Sequence, residues 1–164
     1  MNISVKKALM AIIAAICAIM ISAPSYAGTV KLPGGASINI PAGYTQEKSD
    51  SGIDFNREEP ITIINVTGED AGEQLPLSDL GKEVSKELEA DGTMKVSYSS
   101  TEKINGRTFY VIYGKSKEDG MTLSMFVYIT VMGNYYYSIT FGCLEKDEEG
   151  LASEFNKIAG SLKK

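Results

Sequence analysis

The sequence has 164 residues and a net charge of −5 from 16 basic and 21 acidic side chains, and it contains no histidine. Without histidine, Ser-His-Asp and Cys-His catalysis, histidine-based zinc sites and ordinary imidazole acid–base chemistry are excluded. The acidic balance argues against nucleic acid and anionic membrane surfaces as partners, because both select clustered lysine and arginine.

The first 27 residues have the three zones of a secretory signal peptide. Lys6 and Lys7 precede an uncharged apolar run over residues 8–21, and Ser25-Tyr26-Ala27 then places small residues where signal peptidase selects them. We therefore predict cleavage between Ala27 and Gly28. The apolar run is shorter than the roughly 20 residues that span a bilayer, so we expect no stable membrane insertion after cleavage.

Two alternatives to this cleavage stay open. The segment could be retained as a membrane anchor, or Cys17 could carry a lipid. The lipoprotein pattern has a small residue before the cysteine, whereas this chain has Ile16, so we interpret Cys17 as part of the apolar run.

Export constrains how the remaining domain is stabilised. Residues 28–164 form a chain of about 137 residues with a net charge of −7 and one cysteine, Cys143. An intramolecular disulfide is then impossible, and stability in an oxidising compartment must come from a hydrophobic core. We expect a single domain in the periplasm or outside the cell.

Short strands and turns are predicted first. Residues 29–32 and 36–40 read as strands separated by Pro33-Gly34-Gly35, residues 45–52 as a polar loop, and residues 61–67 as a buried β-branched strand. This part of the chain therefore contributes strands rather than helices.

An amphipathic helix is predicted next, between Pro76 and Gly92. Proline suits the start of a helix and glycine its end. Charged residues occupy the opposite side from an apolar stripe at three- or four-residue spacing. The stripe consists of Leu77, Leu80, Val84 and Leu88.

A four-strand antiparallel meander follows. The strands cover residues 94–104, 107–117, 121–132 and 135–143, and Asn105-Gly106 between the first two is a strong hairpin signal.

The last hairpin has a predictable register. If Gly133-Asn134 is a two-residue loop, Met132 pairs with Tyr135 and Phe126 with Phe141, and directly opposed residues share a face. The second face is also largely apolar, so we infer cover on both sides of the sheet. The first face carries Phe126, Tyr128, Tyr137, Ile139, Phe141 and Cys143.

A second amphipathic helix closes the chain. Asp147 can cap it, and Glu148 and Glu149 match the positive end of the helix dipole. Its apolar stripe is Leu151, Phe155, Ile158 and Leu162. The predicted fold is α+β: an antiparallel sheet of the C-terminal meander plus N-terminal strands, flanked by two amphipathic helices in a three-layer α/β/α sandwich.

The order of these elements resembles the Mog1/PsbP-like fold, particularly its small secreted bacterial members. The residues that carry the resemblance are Ile40-Pro41-Ala42-Gly43-Tyr44, Ile104-Asn105-Gly106, Tyr137-Ser138-Ile139-Thr140-Phe141 and the helix over residues 155–161. The resemblance covers most of residues 28–164. It implies an accessory or binding module that acts through partners, and it supplies no catalytic residue.

The remaining chemistry rests on carboxylates and one thiol. Cys143 shares its strand parity with apolar neighbours, so we interpret it as a buried small side chain rather than a nucleophile. The acidic runs Glu58-Glu59, Glu69-Asp70 and Asp147-Glu148-Glu149 could supply a glycosidase-like pair, but surface and capping roles explain them more simply. Residues 68–73 lack the spaced ligands of a calcium loop.

Aromatic residues offer the remaining candidate site. Tyr135-Tyr136-Tyr137 follows a hairpin turn, and an exposed tyrosine cluster suits a protein or sugar partner. Alternation along the strand puts at least one of the three in the core, so Tyr135 and Tyr136 are the predicted partner surface.

The sequence therefore predicts an exported, non-catalytic accessory or binding module, with no cofactor or metal, whose partner is a protein or an envelope component. Two alternatives are a carboxylate-dependent hydrolase that acts on glycans and a carrier of a small apolar ligand. An enzyme requires two carboxylates facing each other across a cleft, and a carrier requires an enclosed apolar cavity.

Overall fold

The computed structural model describes residues 26–49, 52–72, 75–118 and 120–164. The predicted signal segment before Tyr26 lies outside them. The described chain is α+β, as predicted, with eight strands and two helices. In chain order they are β1 (Tyr26–Lys31), β2 (Ser37–Ser49), β3 (Gly52–Glu58), β4 (Ile61–Asp70), α1 (Leu77–Ala90), β5 (Lys95–Ile104), β6 (Arg107–Glu118), β7 (Met121–Met132), β8 (Tyr135–Leu144) and α2 (Glu148–Gly160).

The strands form one sheet in the order β1-β2-β3-β4-β8-β7-β6-β5, and each neighbouring pair is antiparallel. The predicted C-terminal meander is confirmed, as is the register of its last hairpin, in which Met132 lies opposite Tyr135 and Phe126 opposite Phe141. Because β8 also pairs with β4, the N-terminal strands and the meander share one sheet.

The predicted loop over residues 45–52 is wrong. Strand β2 has 13 residues and continues to Ser49, and β3 begins at Gly52. The first part of β2 pairs with β1 and the second part with β3. Gly43, close to the point where the pairing partner changes, has a φ of 99°, which glycine adopts readily.

Both predicted helices are present, and their apolar stripes are buried. Pro76 directly precedes α1. Asp147 stands at the N-cap position of α2, but its side chain makes no capping hydrogen bond. The buried residues of the two stripes are Leu80, Val84 and Leu88 in α1, Leu151, Phe155 and Ile158 in α2, and Leu162 just after α2.

The core consists of two clusters. One contains the α1 stripe and residues such as Val127 and Ile129, and the other contains the α2 stripe and residues such as Tyr128. Successive residues of a strand point to opposite faces. The two clusters therefore lie on opposite faces of β7, and each includes one helix.

Candidate functional site

An open groove of about 1030 Å³ lies beside α2. Its volume matches the upper end of the range for ligand sites, roughly 300 to 1,000 Å³. Its lining comes from α2 and the residues after it, from β2 and from the turn between β5 and β6. The lining residues are Asn39, Asn105, Arg107, Glu149, Ala152, Ser153, Asn156, Lys157, Gly160, Ser161, Leu162 and Lys163.

Hydrogen bonds hold the lining in place. Asn105, in a left-handed conformation with φ of 47°, donates from Nδ2 to the carbonyl of Gly160 over 2.8 Å. The backbone N–H of Asn39 donates to Ser161 Oγ over 2.9 Å. Tyr128 donates its hydroxyl to Asn156 Oδ1 over 3.0 Å. The groove is therefore preorganised by contacts between α2 and three separate parts of the sheet.

Positive charge predominates in the groove. Arg107, Lys157 and Lys163 line it beside one carboxylate, Glu149. None of these three cations forms an ion pair with another described residue. In a chain with a net charge of −5, this local excess of cations favours an anionic ligand or an acidic segment of a partner.

A largely buried polar cluster anchors α2 near its middle. Tyr44 donates its hydroxyl to Glu154 Oε1 over 2.5 Å, and Arg57 Nη1 lies 3.0 Å from the same oxygen. The Arg57 guanidinium lies 4.6 Å from the centre of the Tyr44 ring, within the range of cation–π attraction. Burial and the hydrogen bond to Glu154 raise the pKa of Tyr44 well above its usual range. These contacts hold α2 in position on the sheet.

A second anchor lies at the start of α2. Tyr113 donates its hydroxyl to Glu148 Oε2 over 2.8 Å, and Ser124 donates to the same oxygen over 2.6 Å. Burial and this hydrogen bond raise the pKa of Tyr113. Glu148 lies in the first turn of α2, as predicted, and through these hydrogen bonds it also contacts two strands of the sheet.

Cys143 is buried, as predicted, with none of its surface exposed. Burial, followed by the nearby carboxylates of Glu148 and Asp147, raises the pKa of its thiol to about 12. Since the thiolate is the reactive form of cysteine, this environment is the opposite of the one that activates a nucleophile.

The predicted acidic runs do not come together. Glu58 and Glu59 are exposed beside the turn before β4, Asp70 is exposed at the end of β4, and only Glu149 lines the groove. In the described part of the chain, no group of three or more Cys, Asp or Glu side chains could hold a metal ion. Glu73, the last residue of the 68–73 segment that was compared with a calcium loop, lies outside the described residues.

The two predicted partner residues are separated by the sheet. Tyr135 packs with the α2 cluster and stacks on Tyr137 at 6.2 Å between ring centres. Tyr136 packs with the α1 cluster, and its hydroxyl accepts a hydrogen bond from the Leu75 N–H over 2.9 Å. Both side chains are half-buried, so they do not form one continuous aromatic patch.

The polar groups that shape the groove and its anchors come from distant parts of the chain. Tyr44 and Glu154 are 110 positions apart, and Asn105 and Gly160 are 55 apart. Sequence reasoning identified none of these contacts, although Asn105 was recognised as a turn residue. The uneven distribution of lysine and arginine becomes visible only after folding.

Comparison with solved structures shows that this chain has a Mog1/PsbP-like fold, as the sequence predicted. It is similar to the cyanobacterial PsbP protein (CyanoP) of Synechocystis, with a TM-score of 0.65 and 12% identity over 88% of this chain and 96% of that one. It is also similar to the Ran-binding protein Mog1p of Saccharomyces cerevisiae, with a TM-score of 0.56 and 15% identity over 85% and 96% of the two chains.

A third similar structure is LpqN of Mycobacterium tuberculosis, a protein involved in cell envelope biogenesis. Its TM-score is 0.59 and its identity 11%, over 86% of this chain and 91% of LpqN. No protein-family model matches the chain, and no curated protein sequence matches it. Similarity at these identities defines the fold alone. Among the described residues, no helix has the length and apolar character that crossing a membrane requires.

Proposed function

We propose that this chain is an exported, non-catalytic module that binds a partner protein through the groove beside α2. The observation that carries the proposal is the set of three cations, Arg107, Lys157 and Lys163, which line a preorganised groove without ion-pair partners among the described residues. An acidic segment of the partner is the complementary ligand.

Related folds give this proposal general support. Mog1p is a Ran-binding protein, and LpqN is involved in cell envelope biogenesis. These descriptions support binding to a protein or an envelope component for a domain of this shape. Because function resides in sites rather than in folds, the partners of those proteins are not carried over to this chain.

Export and the layer arrangement complete the proposed module. Cleavage between Ala27 and Gly28 would cut within β1 at the register shift between Tyr26 and Gly28, leaving the regular pairing of Gly28–Lys31 with β2. Mass spectrometry of the protein from fractionated cells tests this cleavage, with the mass of residues 28–164 as the expected result.

The two core clusters, each with one helix, support a three-layer α/β/α sandwich.

The geometry gives less support to the alternatives. A glycan hydrolase needs two carboxylates across a cleft, whereas Glu149 is the only carboxylate of the groove lining. A carrier of an apolar ligand needs an enclosed apolar cavity, whereas this groove is open and most of its lining residues are polar or charged. Tyr135 and Tyr136 stay a predicted partner surface, and on opposite faces they would serve two separate contacts.

A charge reversal tests the proposed groove. The variant Arg107→Glu/Lys157→Glu is compared with wild-type protein in NMR titrations with hexaglutamate at low salt. We expect shifts at backbone amides of residues 156–161 in the wild type, suppressed by added salt. Because each exposed ion pair contributes about 0.2–1 kcal/mol, replacing two attractions by two repulsions should weaken binding by roughly tenfold or more.

A matched control separates local from general charge effects. Lys82→Glu/Lys86→Glu makes the same charge change on the exposed side of α1, and it should bind hexaglutamate nearly as well as the wild type. Equal loss in both variants, or equal binding of hexalysine by the wild type, would contradict the proposed groove.

A further inference from the structure

Strand β5 forms one edge of the sheet. Among the described strands its only neighbour is β6. The register shift of β5 lies before Tyr98, and from Tyr98 to Ile104 the strand pairs with β6 without interruption. This segment, residues 98–104, contains no proline, so every residue keeps its backbone N–H. We call it the β5 edge, and its free side is open to the addition of another strand.

The turn between β5 and β6 determines which backbone groups of the β5 edge point outward. Ile104 lies opposite Arg107 and flanks a two-residue turn, and such a flanking pair is hydrogen-bonded. Antiparallel pairs alternate between hydrogen-bonded and non-hydrogen-bonded, so every second residue of β5 directs its N–H and C=O away from β6. These residues are Ser99, Thr101 and Lys103. An added strand must therefore form its hydrogen bonds with these three residues.

Helix α1 does not cover the three outward-facing residues. It packs against β5 and β6, and Thr101 lies on the same face of the sheet as α1 because it is opposite Tyr110 of the α1 cluster. Ser99, Thr101 and Lys103 nevertheless are all exposed. A strand of another molecule can therefore reach their backbone groups without displacing α1.

We propose that the β5 edge binds the β5 edge of a second copy of this chain, in an antiparallel pair with Thr101 opposite Thr101 of that copy. A two-fold axis perpendicular to the sheet relates the copies, so one residue must lie opposite itself. With Thr101 at this centre, Ser99 lies opposite Lys103 of the second copy. All three outward-facing residues then form hydrogen-bonded pairs, each with two bonds. A centre at Ser100 would leave only two such pairs.

The side chains of this pairing are self-complementary. Tyr98, which is 47% exposed, lies opposite Ile104 of the second copy, and aromatic and β-branched side chains pair favourably across antiparallel strands. Glu102 and Lys103 each lie opposite a serine, so no like charges are directly opposed. The two Glu102 carboxylates are diagonal neighbours about 7–8 Å apart, and the paired segment is short. We therefore expect a weak, reversible dimer.

Sedimentation equilibrium of the purified protein at concentrations up to about 1 mM tests the proposal, with an expected dimer dissociation constant on the order of 0.1 mM. Thr101→Lys and Thr101→Glu each place two like charges at the centre of the pairing, so each should weaken dimerisation about fivefold or more. An equimolar mixture of the two variants should restore association, because unlike charges then face each other. Since Thr101 is exposed, each variant should melt within about 2 °C of the wild type.

The other edge of the described sheet provides the matched control. Thr29 is an exposed residue of β1, which pairs only with β2 among the described strands. Thr29→Lys makes the same substitution there and should leave the dissociation constant of the dimer unchanged. A monomeric wild type at about 1 mM, an equal loss of association in Thr29→Lys, or a mixture of the two Thr101 variants that stays monomeric would overturn the proposal.

Cysteine cross-linking tests the register. In Thr101→Cys, the substituted residues of the two copies have Cα atoms about 5.5 Å apart, within the range of a disulfide, so mild oxidation should give a covalent dimer. In Ser99→Cys they lie about 14 Å apart, four residues along the pair, and should not cross-link. Cys143 is buried and does not compete. Equal cross-linking of both variants, or of neither, would contradict a pairing centred on Thr101.

Discussion

The two helices are held on the sheet by different kinds of contact. Helix α1 packs on a mainly aliphatic cluster that also contains the ring of Tyr110. In the described part of the chain its polar side-chain contacts stay within the helix, between Asp79 and its neighbours. Helix α2 packs on aromatic rings and is also hydrogen-bonded to strand side chains through Glu148, Glu154 and Asn156.

This difference gives the groove beside α2 a more defined geometry. Apolar packing is non-directional, so it holds a helix on a sheet without selecting one orientation strongly. Hydrogen bonds depend steeply on distance and angle, and those made by three residues along α2 restrict its rotation and tilt. The side of the molecule with the more defined geometry is therefore the side with the proposed partner site.

The largest expected effect comes from Phe155 of α2. Its ring stacks on Phe141 with 4.5 Å between centres and packs against Phe126 at 5.4 Å. Phe155→Ala removes these contacts and leaves a cavity, so we expect a loss of about 3–5 kcal/mol in the free energy of unfolding, measured with urea. Leu88→Ala in α1 should cost about 2–5 kcal/mol. A much larger loss from the α1 variant would contradict the stronger anchoring of α2.

The thiol of Cys143, in the α2 cluster, should make stability depend on pH. Its pKa is raised to about 12, whereas an unfolded thiol ionises near about 8.5. Its contribution is therefore complete below about pH 8.5 and is lost as the pH rises toward about 12. In Cys143→Ala, the free energy of unfolding should fall less steeply between about pH 9 and 11, by about 1.4 kcal/mol per pH unit.

A control for this pH effect lies on the other face. Val84→Ala removes buried volume from the α1 cluster but no titratable group. Val84→Ala should lower the free energy of unfolding by a similar amount at every pH. The buried tyrosines are present in both Val84→Ala and Cys143→Ala, so their ionisation should contribute equally to the pH dependence of the two variants. An alkaline slope in Cys143→Ala identical to that of the wild type would show that the thiol does not contribute.

Sequence reasoning predicted the parts of the fold that depend on local patterns. The stripe of α1 and the turns of the meander repeat within a few residues, so their periodicity determines where apolar side chains lie. The second part of β2 was missed because Gln46 and Glu47 are exposed. A strand held mainly by backbone pairing with β3 has no apolar alternation to reveal it.

The candidate site was less predictable than the fold. The contact of Tyr44 and Arg57 with Glu154 joins residues about a hundred positions apart, and no local pattern specifies which arginine meets which carboxylate. Asn65 is visible in the sequence as a polar residue within a β-branched run, but its hydrogen bond to Asp54 depends on β3 and β4 being neighbours.

Gly81 of α1 provides the next test of how the two helices are held on the sheet. A Cβ at Gly81 would lie 2.1 Å from Tyr110 Cγ, so Gly81→Ala should force the helix away from the sheet. The better helix propensity of alanine, about 1 kcal/mol, offsets part of this cost, and we expect a net loss of about 1–3 kcal/mol. Gly150→Ala in α2 meets no atom within 4 Å and should be neutral or slightly stabilising. If both variants were destabilised, the loss of stability in Gly81→Ala could not be assigned to the contact with Tyr110.

The smallest expected effect tests the hydrogen bonds of α2 directly. Glu154→Gln keeps the side-chain size but removes the charge that pairs with Arg57, whose side chain is only 14% exposed. A hydrogen bond to a charged group contributes about 1.5–3 kcal/mol. Because the glutamine oxygen can still accept from Tyr44, we expect a loss of about 1–2 kcal/mol in urea unfolding.

Glu149→Gln is the matched control, since Glu149 is an exposed residue of the same helix and its neutralisation should change stability by less than about 0.5 kcal/mol. Hydrogen exchange adds a readout of orientation. Exchange of α2 amides should accelerate in Glu154→Gln while α1 amides keep their protection, because local opening follows the contacts that are lost. Equal acceleration in both helices would mean that Glu154 stabilises the fold as a whole and does not hold α2 in particular.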